Sequence, residues 1–279
     1  MKIPFTKMHG LGNDFMVVDC TKRDLELKPE LIKKLSDRNF GVGFDQLLLV
    51  ENTSAEKMDF HYRIFNTDGT EVEHCGNGAR CFATFVRDKG LSSKSSIKVS
   101  TINRNLELTV HDDGKISVDM GYPEFNPSGI PFLCDSRLNT YERIIEISGV
   151  KKSISFSALS MGNPHAVVCV EDLANTAVKD IGEALGSHPD FTKGVNVGFM
   201  KILSRDKIEL RVFERGAGET LACGSGACAA VVVGRILEKL NSDVVVNLPG
   251  GQLTVSWDLS GSVIMKGPTK KVYEGIVDI

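Results

Sequence analysis

Several features that would mark a specialised class are missing from this 279-residue chain. No charge of one sign dominates: 33 Lys+Arg face 36 Asp+Glu, a formal net charge of −3. That balance, with a pI near 6.1, argues against a sequence-blind nucleic-acid binder, which needs a basic stripe to neutralise phosphates. Long apolar runs are also missing. The longest, Ala227–Val233, ends at Gly234 and Arg235, far short of the roughly 20 residues that cross a bilayer. The opening MKIPFTKMHGLGNDF carries no apolar core of the signal-peptide kind. There is no G-x-x-x-x-G-K-[ST] phosphate loop and no well-placed G-x-G-x-x-G. The six histidines show no metal-ligand spacing, and no pair of cysteines forms Cys-x-x-Cys.

What is present is ordinary in bulk. Apolar residues make up 42% and charged residues 25%, as in soluble globular proteins. At about 150 residues per domain the length suits one large domain or two ordinary ones, enough for a core without disulfide or metal staples. Seven scattered cysteines, an odd number, argue against a secreted disulfide framework. The expectation is a cytoplasmic protein with reduced thiols and no membrane or nucleic-acid partner. Cys20, Cys134 and Cys169 sit among apolar or mixed neighbours and read as packing cysteines.

The chain repeats itself. Residues 63–79, RIFNTDGTEVEHCGNGA, align without a gap on residues 211–227, RVFERGAGETLACGSGA. At a constant offset of 148 seven positions are identical, among them Arg63/Arg211, Glu71/Glu219 and Cys75/Cys223; chance would give roughly one. At an offset of 150, residues 12–18 parallel residues 162–168, and the stretch at Gly43–Gln46 parallels Lys193–Asn196. A helix-like segment precedes each of the latter, Pro29–Arg38 and roughly Asn175–Gly186, the first with Pro placed to start it. The period is too long for a solenoid. It describes two homologous domains, an arrangement that often places a site at their interface.

Most of the remainder alternates in short strand-like runs, such as Phe15–Asp19, Gln46–Glu51, Ile208–Phe213 and Val244–Leu248. One helix is predicted after each paired cysteine, about Asn77–Asp88 and Ser225–Leu240. The second is apolar on nearly every side over Ala227–Val233, and such a helix is buried. The predicted class is α+β: two pseudo-symmetric domains from an internal duplication, each a barrel-like curved sheet wrapped around a central α-helix. Residues 103–157 carry no readable motif.

Cys75 and Cys223 each fall at a helix start, in Cys-Gly-x-Gly-Ala. The unpaired N–H groups and the dipole there favour negative charge. The placement is expected to lower a thiol pKa from about 8.5 toward about 3.5–7.5, and the glycines let an anion approach the amides. Inverting an α-carbon needs a proton removed from one face and one delivered to the other. A thiolate and a thiol do this without metal or other cofactor, with the substrate carboxylate on the two helix starts. The residues leave open a reversible thiol sensor joining Cys75 to Cys223, and a module that only captures amino acids.

These motifs resemble the diaminopimelate epimerase family over nearly the whole chain. The resemblance rests on Lys7–Phe15, Phe65–Gly69, Cys75–Cys81, Gly162–His165, Gly194–Asn196 and Glu214–Ala227 in that order. It implies a cofactor-independent conversion of LL-2,6-diaminopimelate to the meso form, with Cys75 and Cys223 as the acid–base pair. His165 and Glu214 would help set thiol protonation. Backbone amides of Gly76, Asn77, Gly224 and Ser225 would hold the reacting carboxylate. Asn13, Gln46, Asn66, Asn163, Asn196, Glu214 and Arg215 would hold the substrate, Arg suiting a carboxylate and Asn both donating and accepting. The resemblance further implies a first half of residues 1–120 plus 268–279, a second half of residues 121–267, a site in the cleft between them, and a homodimer interface at Tyr273. A related proline or hydroxyproline racemase is the alternative within the fold.

Overall fold

The computed structural model describes residues 1–73 and 75–279. In chain order the elements are β1 (Lys2–Gly10), β2 (Asn13–Asp19), α1 (Pro29–Ser36), β3 (Gln46–Glu51), β4 (Phe60–Asn66), β5 (Glu71–Val72), α2 (Gly76–Asp88), β6 (Ser96–Ser100), β7 (Asn105–Val110) and β8 (Ile116–Asp119). There follow β9 (Tyr141–Ile147), β10 (Val150–Ser160), β11 (Pro164–Cys169), α3 (Val178–Gly186), β12 (Asn196–Ser204), β13 (Lys207–Glu214), β14 (Gly218–Thr220), α4 (Gly224–Ile236), β15 (Asp243–Leu248), β16 (Gly251–Ser256), β17 (Ile264–Gly267) and β18 (Lys270–Asp278). The chain divides into two compact units, Met1–Asp119 with Lys266–Ile279, and Met120–Met265.

Each unit has the same internal plan. In the first, β2 runs parallel to β3, with Phe15 opposite Gln46; in the second, β11 runs parallel to β12, with His165 opposite Asn196. Antiparallel hairpins follow, pairing Phe65 with Glu71 and Phe213 with Glu219. A second parallel pair spans each central helix, Phe60 with Val99 and Ile208 with Val246. Parallel neighbours need a crossover, and α1, α2, α3 and α4 supply the four. The duplication read in the sequence is therefore a duplication of register. Its conserved Arg and Glu have a physical role: Arg63 Nε and a terminal nitrogen donate to both Glu71 oxygens at 2.9 Å, and Arg211 grips Glu219 at 2.6 and 2.9 Å. These forked pairs tie together the hairpin that precedes each repeated cysteine.

Helix α2 packs on β1, β2, β3, β7 and β8, and α4 on β10, β11, β12, β13 and β16, so each sheet curves around its helix. Ten residues of α4 between Gly224 and Gly234 are buried, as its all-round apolar sequence requires. The shorter helices cover the other side. Ile32 and Leu35 of α1 join Met16, Val18, Leu47 and Leu49 in one apolar cluster; Val178 and Leu185 of α3 join Ala166, Val168, Val197 and Phe199 in another. With helices on both faces, β2 and β3 read as continuous apolar runs rather than alternating ones. No helix among the described residues is long and apolar enough to cross a membrane.

Several boundaries differ from the sequence expectation. Helix α4 ends at Ile236, not Leu240, because Glu238 enters the left-handed region at φ 57° and Lys239 and Leu240 donate back to the Gly234 carbonyl. Helix α1 ends at Ser36 rather than Arg38, since the Asp37 carboxylate accepts from the N–H groups of Asn39 and Phe40 and turns the chain. Helix α3 starts at Val178, three residues later than read. The silent region 103–157 contains most of the β9–β10 hairpin. Cys169, expected to pack, is exposed at the end of β11, and Cys134 is half-buried.

Gly182 in α3 tests the packing that holds β13. A Cβ there would lie 2.4 Å from Phe213 Cγ. Gly→Ala inside a helix ordinarily stabilises by about 0.5–1 kcal/mol. Here overpacking, about 1–3 kcal/mol, outweighs it, so Gly182→Ala should lower the urea midpoint at unchanged slope.

Candidate active site

In the first unit the site grows from the start of α2. The helix begins at Cys75 and its first turn lies hard against β4. The Tyr62 hydroxyl, buried on β4, donates to the Cys75 carbonyl at 3.4 Å. A Cβ at Gly78 would sit 2.5 Å from that hydroxyl, so only glycine permits the approach. Burial, then the nearby sulfurs of Cys75 and Cys81, push the Tyr62 phenol well above its usual range, so it remains a donor.

The half-buried Cys75 thiol donates to Asn13 Oδ1 at 3.6 Å, and Asn77 Nδ2 donates to the same oxygen at 3.3 Å. Asn13 follows Gly12, whose φ of 90° turns the chain into β2. Its own Nδ2 donates to Asp45 at 3.0 Å. Arg38 bridges Asp45 and Asp14, at 2.8 and 2.7 Å, and the buried Lys7 also donates to Asp14. Burial alone would raise the Asp14 carboxyl; hydrogen bonds from Arg38 and Lys7 outweigh it and hold the group at about 2. Gln46 and Asn66, opposite one another on β3 and β4, are joined by Gln46 Nε2 donating to Asn66 Oδ1 at 3.0 Å. Arg80 lies one turn into α2 and is fully buried.

In the second unit Cys223 starts α4 and is buried. Its sulfur lies 3.7 Å from Ser225 Oγ. Ser225 Oγ in turn meets His165 Nε2 at 3.0 Å and accepts from Asn163 Nδ2 at 3.3 Å. His165 Nε2 also faces Asn163 Oδ1 at 3.1 Å. That oxygen only accepts, so Nε2 carries the ring proton. Burial first, and the Arg215 charge second, push the imidazole down to about 3, leaving it neutral. Glu214, at the end of β13, is anchored by the Thr220 hydroxyl at 2.6 Å. Asn196 Oδ1 accepts from the Arg215 N–H at 3.0 Å, while the Arg215 side chain donates to the Lys193 carbonyl at 2.7 Å.

For Cys223 the expected lowering of the thiol is corrected. Burial, and then the Glu214 carboxylate, raise it well above the ordinary value; the Gly226 N–H and the Ser225 hydroxyl oppose this without prevailing. Desolvation of a thiolate outweighs the helix start, so this sulfur is protonated.

A sequence model of the diaminopimelate epimerase family matches residues 5–126 and 157–272. The chain belongs to that family. Solved structures share its fold at low identity. A PhzF-family phenazine biosynthesis protein from Bacillus anthracis is 17% identical with a TM-score of 0.68, each chain covered in full. One from Enterococcus faecalis is 15% identical at 0.68, also over 100% of both chains. A hydroxyproline epimerase from Agrobacterium vitis, with bound trans-4-hydroxy-L-proline, is 12% identical at 0.70, over 99% of this chain and 92% of that one.

Within the first unit the structure gathers Cys75, Asn77 and Asn13, and separately Gln46 with Asn66. Within the second it gathers Cys223, Ser225, His165, Asn163 and Glu214, with Asn196 on the Arg215 backbone. Gly76 and Gly224 open the two helices. Tyr273 lies on β18, about half exposed, its ring 5.9 Å from Phe5. Sequence reading passed over Tyr62, Arg80, Asp45 and Thr220. Arg80 carried a signal: a charge one turn into a helix expected to lie at the centre of its sheet.

Neutral His165 gives stability a pH dependence. Its folded pKa lies below the unfolded 6.5, so its contribution is complete above about pH 6.5 and is lost as pH falls toward 3. At pH 4.5 the loss amounts to about 2–3 kcal/mol. Urea unfolding of His165→Gln between pH 4.5 and 7.5 should show a flatter profile. Removing the neighbouring charge in Glu214→Gln should move alkylation of Cys223 to lower pH.

Proposed function

We propose that this protein inverts one α-carbon of 2,6-diaminopimelate, converting the LL to the meso isomer without a cofactor. The observation that carries the reading is the pair of register-equivalent cysteines, each opening a central helix of a diaminopimelate epimerase family member. One sulfur removes the α-proton and the other returns a proton to the opposite face; the roles exchange in reverse. Cys223, protonated by burial beside Glu214, is the proton donor, and Cys75 the base in that direction. His165, being neutral, cannot stabilise a Cys223 thiolate by charge. It holds Ser225, whose hydroxyl does so by hydrogen bonding when the roles reverse. Amides of Gly76, Asn77, Gly224 and Ser225 take the reacting carboxylate, where charge develops in the carbanion.

Asn13, Gln46, Asn66, Asn163, Asn196, Glu214 and Arg215 complete the substrate site, several reading the distal aminocarboxylate. A site built to pair those groups rejects a substrate lacking them by about 10⁴-fold or more. Two epimerase halves, taken as residues 1–120 with 268–279 and residues 121–267, each supply one thiol. The product would enter lysine and cell-wall precursor synthesis in the cytoplasm. A homodimer through the β18 face bearing Tyr273 completes the reading.

Purified protein in heavy water with no added cofactor should exchange the α-hydrogen of diaminopimelate. Cys75→Ala and Cys223→Ala should each lower epimerisation by about 10²–10⁴-fold. Full activity in both would refute the two-thiol mechanism. Turnover of proline or hydroxyproline in preference to diaminopimelate would refute the substrate.

A further inference from the structure

Around Cys75 runs a chain of side chains whose direction is fixed at both ends. At one end is Arg80, fully buried. Its guanidinium donates to Asn77 Oδ1 at 2.9 Å, to the Gly76 carbonyl at 3.4 Å and to the Pro268 carbonyl at 3.5 Å. A Cβ on Gly10 would stand 3.1 Å from it. At the other end is Asp45, partly exposed, whose carboxylate accepts from Asn13 Nδ2 at 3.0 Å, from the Asp14 N–H at 3.1 Å and from Arg38 at 2.8 Å. Between them lie two amides. A primary amide presents either an acceptor or a donor to a neighbour, and nothing local to an asparagine decides which.

Arginine only donates and carboxylate only accepts. Asn77 must turn its oxygen to Arg80, which leaves its NH₂ for Asn13. Asn13 must turn its NH₂ to Asp45, which leaves its oxygen for Asn77 and for the Cys75 sulfur. We infer that Arg80 and Asp45 are a positioning pair for Cys75, orienting the Asn77 and Asn13 amides so that an acceptor oxygen always faces the sulfur. An acceptor there favours S–H over S⁻, opposing the helix start that favours the thiolate. The pair thereby sets how readily Cys75 ionises. The second unit has no such device: the positions equivalent to Arg80 and Asp45 are Cys228 and Val195.

Three described groups of this region are each fixed in one state. Tyr62 and Cys81 are held protonated by burial, the latter pushed up to about 12, and Asp14 is ionised above about 2.

The inference rests on the proposed function only in calling Cys75 an acid–base thiol; its test needs no substrate. The full chain is labelled with iodoacetamide across a pH series, and the Cys75 peptide is quantified by mass spectrometry. Asp45→Ala removes the acceptor for the Asn13 NH₂ and leaves the Asn77 NH₂ alone to hold the Asn13 oxygen toward the sulfur, and the labelling midpoint should fall by about one pH unit. Asp45→Asn removes the charge but keeps an acceptor for Asn13, and its midpoint should stay near that of the unmodified sequence. Arg80→Met, where it folds, should fall like Asp45→Ala. An equal fall in Asp45→Ala and Asp45→Asn would show a simple charge effect and overturn the inference, as would no movement in Asp45→Ala. A protein that labels as expected yet exchanges no α-proton would overturn the proposed function alone.

Discussion

The first turn of each central helix touches the first strand of the hairpin before it, β4 or β13, and the rest of each unit is arranged around that contact. Gly78 leaves no room for a Cβ beneath the Tyr62 hydroxyl, and a Cβ on Gly226 would stand 3.1 Å from Val212. A helix held this close to its sheet has a fixed start, and in both units that start is a cysteine. The constraint explains why the hairpin before each helix is pinned by a forked Arg–Glu pair. Any slack in the turn would move the sulfur. It also explains why the body of α4 is apolar on nearly every side, since the sheet curves around it.

On this common backbone the two units place different chemistry. Phe15 stands where His165 stands, Asn66 where Glu214 stands, Asn77 where Ser225 stands and Arg80 where Cys228 stands. One sulfur therefore faces an asparagine oxygen in a chain ending in a buried cation. The other is more deeply buried, faces a serine hydroxyl and a carboxylate, and is held protonated. Backbone symmetry places both sulfurs at a helix start, and the side chains around them differ.

Much of this was legible in the sequence because it rests on local pattern. The duplication, the helix after each cysteine and the burial of α4 follow from residue identity at fixed offsets and from the apolar run at Ala227–Val233. What was not legible depends on distant partners. Glu238 in a left-handed turn ends α4 where a glycine was the signal to look for. The β9–β10 hairpin has no marked turn beyond Ser148-Gly149. The sign of the Cys223 shift was misread because a helix start is visible in sequence whereas desolvation is a property of the whole fold. Tyr62 and Asp45 are remote in sequence from the sulfur they act around, and no spacing rule connects them to it.

At Cys223 burial and the Glu214 carboxylate win over the Gly226 N–H and the Ser225 hydroxyl. A helix start and a hydroxyl favour the thiolate, while burial, a carboxylate or an amide oxygen favours the thiol. Two thiols with identical surroundings have the same intrinsic proton affinity, so a difference between the repeats traces to their side chains rather than to the shared backbone. The divergence of Arg80 from Cys228, of Asn77 from Ser225 and of Asn66 from Glu214 is therefore what makes the two helix starts chemically unlike.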